Sequence, residues 1–166
     1  MTNAADREWE TCSLPAGARP GLRVQEQTLL LAPDLTAPRR ARIAVTEALA
    51  AWGMLHLAAD ATQITSELVA NAVTASARGA GEGEGAEPAP VALAISSTYG
   101  EELCIRVWDP DPTPPPRTLQ DPGTGAERGR GLIIVEGLSA LWGWYPGRAG
   151  KYVWSVLPLS RPCPAG

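Results

Sequence analysis

Six prolines and two glycines fall between residues 110 and 128, and this composition excludes regular secondary structure from the stretch. Proline lacks the backbone N–H that helices and sheets need, and its ring fixes φ. The stretch is therefore predicted to be a surface loop, and irregular loops of this length usually have a function. It also divides the apolar patterns of the chain into a set before the loop and a set after it.

Two helices are predicted before this loop. Residues 39–52 carry apolar side chains at helical spacing, and the same spacing continues from Ile64 to about Ala77. Asp60 is followed three positions later by Gln63, which resembles a capping box and predicts that the second helix begins near Asp60. Each helix would turn one apolar face towards a core.

Strands are predicted on both sides of these two helices. Val24–Leu31 is expected to form an edge strand. Apolar residues alternate within residues 91–95 and again within 103–107, which predicts a hairpin whose second strand ends at Asp109. The acidic, glycine-rich segment 79–85 before this hairpin is expected to be a solvent loop.

After the proline-rich loop, residues 131–141 show helical spacing, and residues 142–145 and 151–157 predict a closing hairpin. The resulting order is strand, helix, helix, strand, strand, loop, helix, strand, strand, which is typical of a layered α/β arrangement. Residues 1–21 mix charges with prolines and glycines and are expected to form a flexible leader, followed by one domain over residues 22–160.

Charge and cysteine content limit the classes of function. The formal net charge of −4 gives no basic footprint, so direct binding of nucleic acid is not expected. The cysteines Cys12, Cys104 and Cys163 lie far apart without CxxC spacing, which favours reduced thiols and a cytoplasmic protein. No apolar run is long enough for a membrane span, so no membrane association is predicted.

Glu67 and Asn71 are the first candidate functional residues. They lie four positions apart, so a helix places both on one face, one turn apart. A carboxylate there could orient a hydroxyl or a water, and the amide oxygen of Asn71 could be a ligand of Mg²⁺, which prefers oxygen donors. In isolation, such a pair is more often a solvated feature of a helix surface.

The run Gly129-Arg130-Gly131-Leu132 is the second candidate, because it opens the third predicted helix. Glycines at a helix start allow backbone N–H groups to approach a phosphate, and the helix dipole favours the negative charge. The Arg130 guanidinium could also contact phosphate oxygens. Taken alone, the two glycines would only mark a turn before a helix.

In combination, these motifs resemble the ATP-binding domains of the gyrase, histidine-kinase and MutL type, and within them the small bacterial anti-sigma factor serine kinases. The similarity extends over residues 31–157. Glu67 and Asn71 match the N box, Asp109 matches the aspartate at a strand end that binds adenine, and the Gly129 to Leu132 run matches the second glycine box. Residues 110–128 take the place of the ATP lid.

The resemblance implies a two-layer sandwich with a mixed sheet covered on one face by helices, the Bergerat-type ATP-binding fold. It implies that ATP and Mg²⁺ are bound. Asn71 would be the ligand of Mg²⁺, Glu67 the base acting on the attacking hydroxyl, and Asp109 the acceptor for the adenine amino group. Gly129, Arg130, Gly131 and Leu132 would meet the phosphates.

Many relatives carry a basic residue or a histidine after the N-box asparagine, but this chain has no cation between Asn71 and Arg78. Two further positions depart from the family pattern. Asp111 stands where the first glycine box has glycine, between Pro110 and Pro112. Tyr152 is assigned to the position at which relatives commonly carry a threonine near the adenine. Both departures concern the end of the site that would hold the base.

Three functions follow from the resemblance. The first is an ATP-binding anti-sigma factor that binds a sigma factor, and that phosphorylates a serine on an anti-sigma factor antagonist protein, with a homodimer as one assembly. The second is a degenerate module of the same fold that acts by protein contact alone. The third, ranked last, is a detached histidine-kinase catalytic domain.

Overall fold

The computed structural model describes residues 24–79, 87–98, 102–115 and 130–158. Their elements follow one another in the predicted order, which is thereby confirmed. The helices lie on one face of a single five-stranded sheet. No helix within these residues is both long and apolar enough to cross a bilayer.

The helical layer contains three helices: α1 (Ala37–Ala51), α2 (Ala58–Gly79) and α3 (Arg130–Leu138). A short 3-10 turn at Leu55–Leu57 joins the first two. Helix α2 begins two residues before Asp60, so the predicted capping box is wrong. The Gln63 amide bonds to the side chain of Glu67 one turn later, so it orients this carboxylate instead of capping the start of the helix.

The sheet contains β1 (Val24–Leu31), β2 (Val91–Thr98), β3 (Glu102–Asp109), β4 (Leu141–Gly147) and β5 (Gly150–Pro158). Its order is β1-β2-β3-β5-β4. Every pair of neighbours is antiparallel, so the prediction of a mixed sheet is wrong, although the two-layer sandwich is confirmed.

Connectivity explains why the sheet is antiparallel. Two helices, not one, lie between β1 and β2, so the chain re-enters the sheet from the opposite end. The single helix α3 makes β4 run in the same direction as β3, but β5 is inserted between them. The parallel directions therefore never pair.

The core lies between the sheet and the helices. Alternate residues of the strands point to the helical side, where they meet the apolar face of α2, as strand and helix periods require. The fully or almost fully buried residues include Ile64, Leu68 and Val69 of α2 with Leu93, Ile105 and Val107 of the sheet. This packing holds α2 firmly against the strands whose ends carry the candidate site.

Candidate functional site

Helix α2 presents Gln63, Glu67 and Asn71 at successive helical turns. The amide Nε2 of Gln63 donates a hydrogen bond to Oε1 of Glu67 at 3.1 Å. Glu67 is half-buried and Asn71 is exposed. The predicted pair therefore lies on one face of one helix, with the carboxylate oriented by a neighbouring amide and the Asn71 amide open to a ligand.

The first turn of α3 lies against Glu67. An ideal Cβ placed on Gly131 would stand 2.6 Å from Oε2 of Glu67, so only glycine leaves this carboxylate undisturbed. The start of a helix carries the positive end of its dipole, so the Glu67 carboxylate lies beside the positive end of α3. The contact unites two motifs that are distant in sequence.

The remaining residues of the second glycine box differ in accessibility. Arg130 is exposed at the first position of α3. The Leu132 side chain is buried in the core, so only its backbone N–H could serve a phosphate. Gly129 lies outside the described residues. The phosphate-binding roles of these four residues stay predictions.

A cavity of about 410 Å³ opens beside Asn71, between α2 and the ends of β3 and β5. This volume lies within the range of small-molecule sites. The cavity brings Asn71 and Asp109 together. Glu67 lies one turn before Asn71, outside the cavity lining. The lining residues are Leu68, Asn71, Ala72, Thr74, Ala75, Arg78, Val107, Asp109, Asp111, Thr113, Pro114, Pro115, Lys151 and Val153.

Asp109 is part of a buried ion pair at the floor of this cavity. Nζ of Lys151 lies 2.8 Å from Oδ1 of Asp109, and the two side chains are only 6% and 3% exposed. Lys151 also donates to the backbone oxygen of Asp111 at 2.8 Å. Burial raises the pKa of Asp109, and the hydrogen bond and charge of Lys151 oppose that rise.

The Asp-Pro-Asp-Pro segment after β3 forms two successive side-chain turns. Oδ1 of Asp109 accepts the N–H of Asp111 at 3.0 Å, and Oδ1 of Asp111 accepts the N–H of Thr113 at 2.9 Å. Aspartate commonly stabilises turns by accepting from the backbone two residues later. Asp111 thus has a structural reason to stand where the family has glycine.

Arg78 at the end of α2 approaches Asp111 across the cavity opening, with 3.7 Å between Nη2 and Oδ2. Burial alone would raise the pKa of Asp111, but the hydrogen bonds from Thr113, together with the charges of Lys151 and Arg78, bring it below its usual value. The part of the cavity around Asp109 therefore holds two carboxylates and two cationic side chains.

Sequence reasoning missed Lys151 and assigned the critical position to Tyr152. The Tyr152 ring stacks on Tyr145 of β4, with 4.9 Å between ring centroids, whereas Lys151 and Val153 line the cavity. Because successive residues of a strand face opposite sides of the sheet, Tyr152 points away from the site. Strand parity with the buried residues Val153 and Leu157 was the signal that could have identified Lys151.

Gly150 brings β5 close to β3 at the same floor. Its φ is +157°, and an ideal Cβ on it would overlap the backbone oxygen of Asp109. The register places Asp109 directly opposite Lys151. The glycine thus permits the close approach that pairs the two charged side chains.

Within the described ranges, no three histidine, cysteine, aspartate or glutamate side chains cluster as a metal site. The donor set nevertheless fits Mg²⁺ bound together with phosphates, since Mg²⁺ keeps several waters and needs few protein ligands. The exposed amide of Asn71 is the oxygen donor that the cavity offers at the position predicted for it.

Comparison with known proteins assigns the fold to a family. A solved chain from Mycobacterium tuberculosis, containing the RsbU and RsbW domains of Rv1364c, matches with a TM-score of 0.58 and 23% sequence identity. The match covers 83% of this chain and 33% of that chain, so the present chain spans about a third of the length of its relative. No curated protein matches the sequence. The profile of the histidine kinase-like ATPase domain matches residues 31–154, and the chain belongs to that family.

Proposed function

We propose that this chain is an ATP-binding regulatory protein of the anti-sigma factor type, which transfers the γ-phosphoryl group of ATP to a serine or threonine of an anti-sigma factor antagonist. One observation carries the proposal: Asn71 and Asp109 share a cavity of ligand size, while Glu67 stands one turn away against the start of α3. The proposed base and the proposed metal ligand thus lie one turn apart on α2, and the proposed phosphate donors lie beside that base at the start of α3.

Asp109 would hold the adenine. Within the described residues it accepts two hydrogen bonds, and both fall on Oδ1. Oδ2 therefore remains as an acceptor for the exocyclic amino group, which a carboxylate can bind because it only accepts. The ion pair with Lys151 narrows this end of the site without removing the acceptor.

The triphosphate would extend towards the start of α3. The backbone N–H groups of Gly131 and Leu132 and the Arg130 guanidinium are the donors in this region, and helix starts favour phosphate. Asn71 would hold Mg²⁺, which neutralises phosphate charge during phosphoryl transfer.

Glu67 would act on the attacking hydroxyl. Its Oε1 is held by Gln63, and Oε2, which bonds to no residue that the structure describes, would accept the proton of the serine or threonine hydroxyl. The hydroxyl oxygen then bonds to the γ-phosphorus as the bond to the β,γ-bridging oxygen breaks, and ADP leaves. Positioning and charge neutralisation supply most of the catalysis in such transfers.

The family and the likeness to an RsbW domain support the proposed partners. The proposed partners are a sigma factor, an anti-sigma factor antagonist protein, or both, in the cytoplasm, with a homodimer as one assembly.

Labelled ATP, Mg²⁺ and a candidate antagonist test the proposal. We expect labelling of the antagonist, its loss in Glu67→Gln with ATP binding retained, and no change in the control Glu136→Gln, whose side chain is exposed on α3. Asn71→Ala should remove the Mg²⁺ dependence of ATP binding in a calorimetric titration. Unchanged labelling in Glu67→Gln would remove this residue from the mechanism.

A second candidate function is a non-catalytic module that acts by protein contact alone. The Lys151–Asp109 ion pair favours it, because the charge of the adenine-binding carboxylate is already compensated from within the protein. Thermal unfolding with ATP and with ADP, each with and without Mg²⁺, separates the two functions. A ligand that binds the folded state raises its stability, so the absence of any shift would favour the non-catalytic module.

A further inference from the structure

Lys151 is built into the base end of the cavity. The β3–β5 register sets it opposite Asp109, and both side chains face the helical layer, where they line the cavity beside Asn71. The ammonium group is 2.8 Å from Oδ1 of Asp109 and 2.8 Å from the backbone oxygen of Asp111. Its position is thereby fixed by two acceptors.

The hydrogen-bonding capacity of the pair is only partly used. An ammonium has three N–H donors, and two are directed to Asp109 and Asp111. Oδ1 of Asp109 accepts from Lys151 and from the Asp111 N–H, and Oδ2 is the second acceptor of the carboxylate. Among the described residues, no partner takes the third donor of Lys151 or Oδ2 of Asp109, so this ion pair keeps one donor and one acceptor.

This combination matches both classes of purine. At C6, adenine carries an amino donor, whereas a 6-oxopurine carries the acceptor O6 at the same position. A carboxylate alone can only accept, so it binds the adenine amino group and repels O6. A neighbouring ammonium supplies the donor that O6 requires.

We propose that Lys151 is a specificity-determining residue that allows the cavity to bind 6-oxopurine nucleotides as well as ATP. This inference rests on the proposed nucleotide site and adds its base preference. Inosine triphosphate is the cleanest probe, because hypoxanthine has the 6-oxo group and N1–H without the 2-amino group of guanine.

Isothermal titration of the full chain with ATP and with inosine triphosphate, both with Mg²⁺, tests the inference. We expect the two affinities of the wild type to agree within about tenfold. Lys151→Met should lower the affinity for inosine triphosphate by about tenfold or more relative to the affinity for ATP, which is the usual effect of losing a hydrogen bond to a charged group. Lys151→Arg keeps a hydrogen-bond donor at this position and should keep the affinity for inosine triphosphate.

Arg78→Met is the matched control, since Arg78 lines the same cavity with a positive charge but approaches Asp111. It should leave the ratio of the two affinities unchanged. If Lys151→Met fails to fold, the wild-type ratio alone decides.

Each remaining outcome is decisive. Tight ATP binding with inosine triphosphate bound more than about tenfold more weakly overturns the inference and leaves the ATP site intact. An equal ratio in wild type and Lys151→Met also overturns it. Binding of neither nucleotide overturns both the inference and the proposed ATP site, and recovery of ATP binding in Lys151→Thr would then show that Lys151 closes the cavity.

Discussion

Gly131 and Glu67 are separated by more than sixty residues in sequence, yet a Cβ on Gly131 would stand 2.6 Å from Oε2 of Glu67. The other atoms of Glu67 near that Cβ position are 3.5 Å away, at ordinary contact distance. The glycine is thus required by the carboxylate tip alone. Since that tip belongs to a flexible side chain, the constraint concerns its position more than the stability of the fold.

Gly131→Ala should displace the Glu67 carboxylate from Gln63 and from the start of α3. We expect the thermal midpoint to change little, because alanine favours the helix by about 1 kcal/mol over glycine and offsets the local shift. Phosphoryl transfer to the antagonist should fall at least tenfold. Labelling assays and thermal unfolding measure the two effects.

Gly137→Ala provides the control for this variant. It adds the same methyl group to the same helix, but nothing lies within 4 Å of its Cβ position. It should equal or slightly exceed the wild type in stability and keep full activity. Equal activity of both alanine variants would contradict the importance of the Gly131–Glu67 contact.

Gly150→Ala should destabilise the β3–β5 pairing, because its Cβ would overlap the backbone oxygen of Asp109 and its φ of +157° is unfavourable for other residues. We expect a loss of about 2 kcal/mol or more in the free energy of unfolding. In the same hairpin, a Cβ on Gly147 would lie 3.3 Å from the edge of the Tyr152 ring, with its other neighbours at 3.5 Å or more, so Gly147→Ala should cost less. Denaturant unfolding compares the two; the reverse order would refute the argument.

Asp109→Ala should leave the buried Lys151 ammonium without the carboxylate that pairs with it directly. Removing one partner of a buried ion pair costs about 3–5 kcal/mol. Adding Lys151→Met to Asp109→Ala should recover part of this loss, since the pair is then replaced by apolar groups. A double-mutant cycle in urea measures the coupling energy, and additive single effects would show that the two charges do not interact.

The pH dependence of stability should report the buried carboxyl. Burial raises the pKa of Asp109 against the opposing effect of Lys151. A carboxyl with a raised pKa in the folded state contributes stability that is fully present below the unfolded value of 3.8 and lost as pH rises through the folded pKa. Relative to Asp109→Asn, which does not titrate, the wild type should therefore lose stability as pH rises from that value towards neutrality. If the wild type instead gained stability relative to Asp109→Asn as pH rises, the effect of Lys151 on the Asp109 pKa would outweigh that of burial.

The sequence predicted the elements well because each one has a local signal. The bounds of β1 were predicted as they stand, and the helical face of α2 was predicted through Leu68 and Val69. The antiparallel sheet was missed, since it depends on β5 being inserted between β3 and β4, which no local pattern determines. The start of α2 lies two residues before Asp60, and the predicted capping box was wrong because Gln63 bonds forward to Glu67 and not back to the helix start.

The candidate site could be predicted where it lies on one element. Glu67 and Asn71 are one turn apart on any helix, so their common face followed from spacing alone. The ion pair of Asp109 with Lys151 joins two strands through the register of the sheet, and that register is a long-range property. The position on β5 that faces the site was assigned to Tyr152 from the sequence, although alternate residues of β5 face the helices and Lys151 lies on the same side as the buried Val153.

Helix α2 carries Glu67 near its middle and Arg78 near its end, so one rigid helix sets the distance between the proposed base and the cavity residue Arg78. At a rise of about 1.5 Å per residue, these two positions are about 16 Å apart along the axis. Inserting a single residue between them would lengthen the helix slightly but would rotate everything beyond it by about 100°. The residues between Glu67 and Arg78 can therefore change in identity but not in number, because an insertion would turn one of these two positions away from its present face.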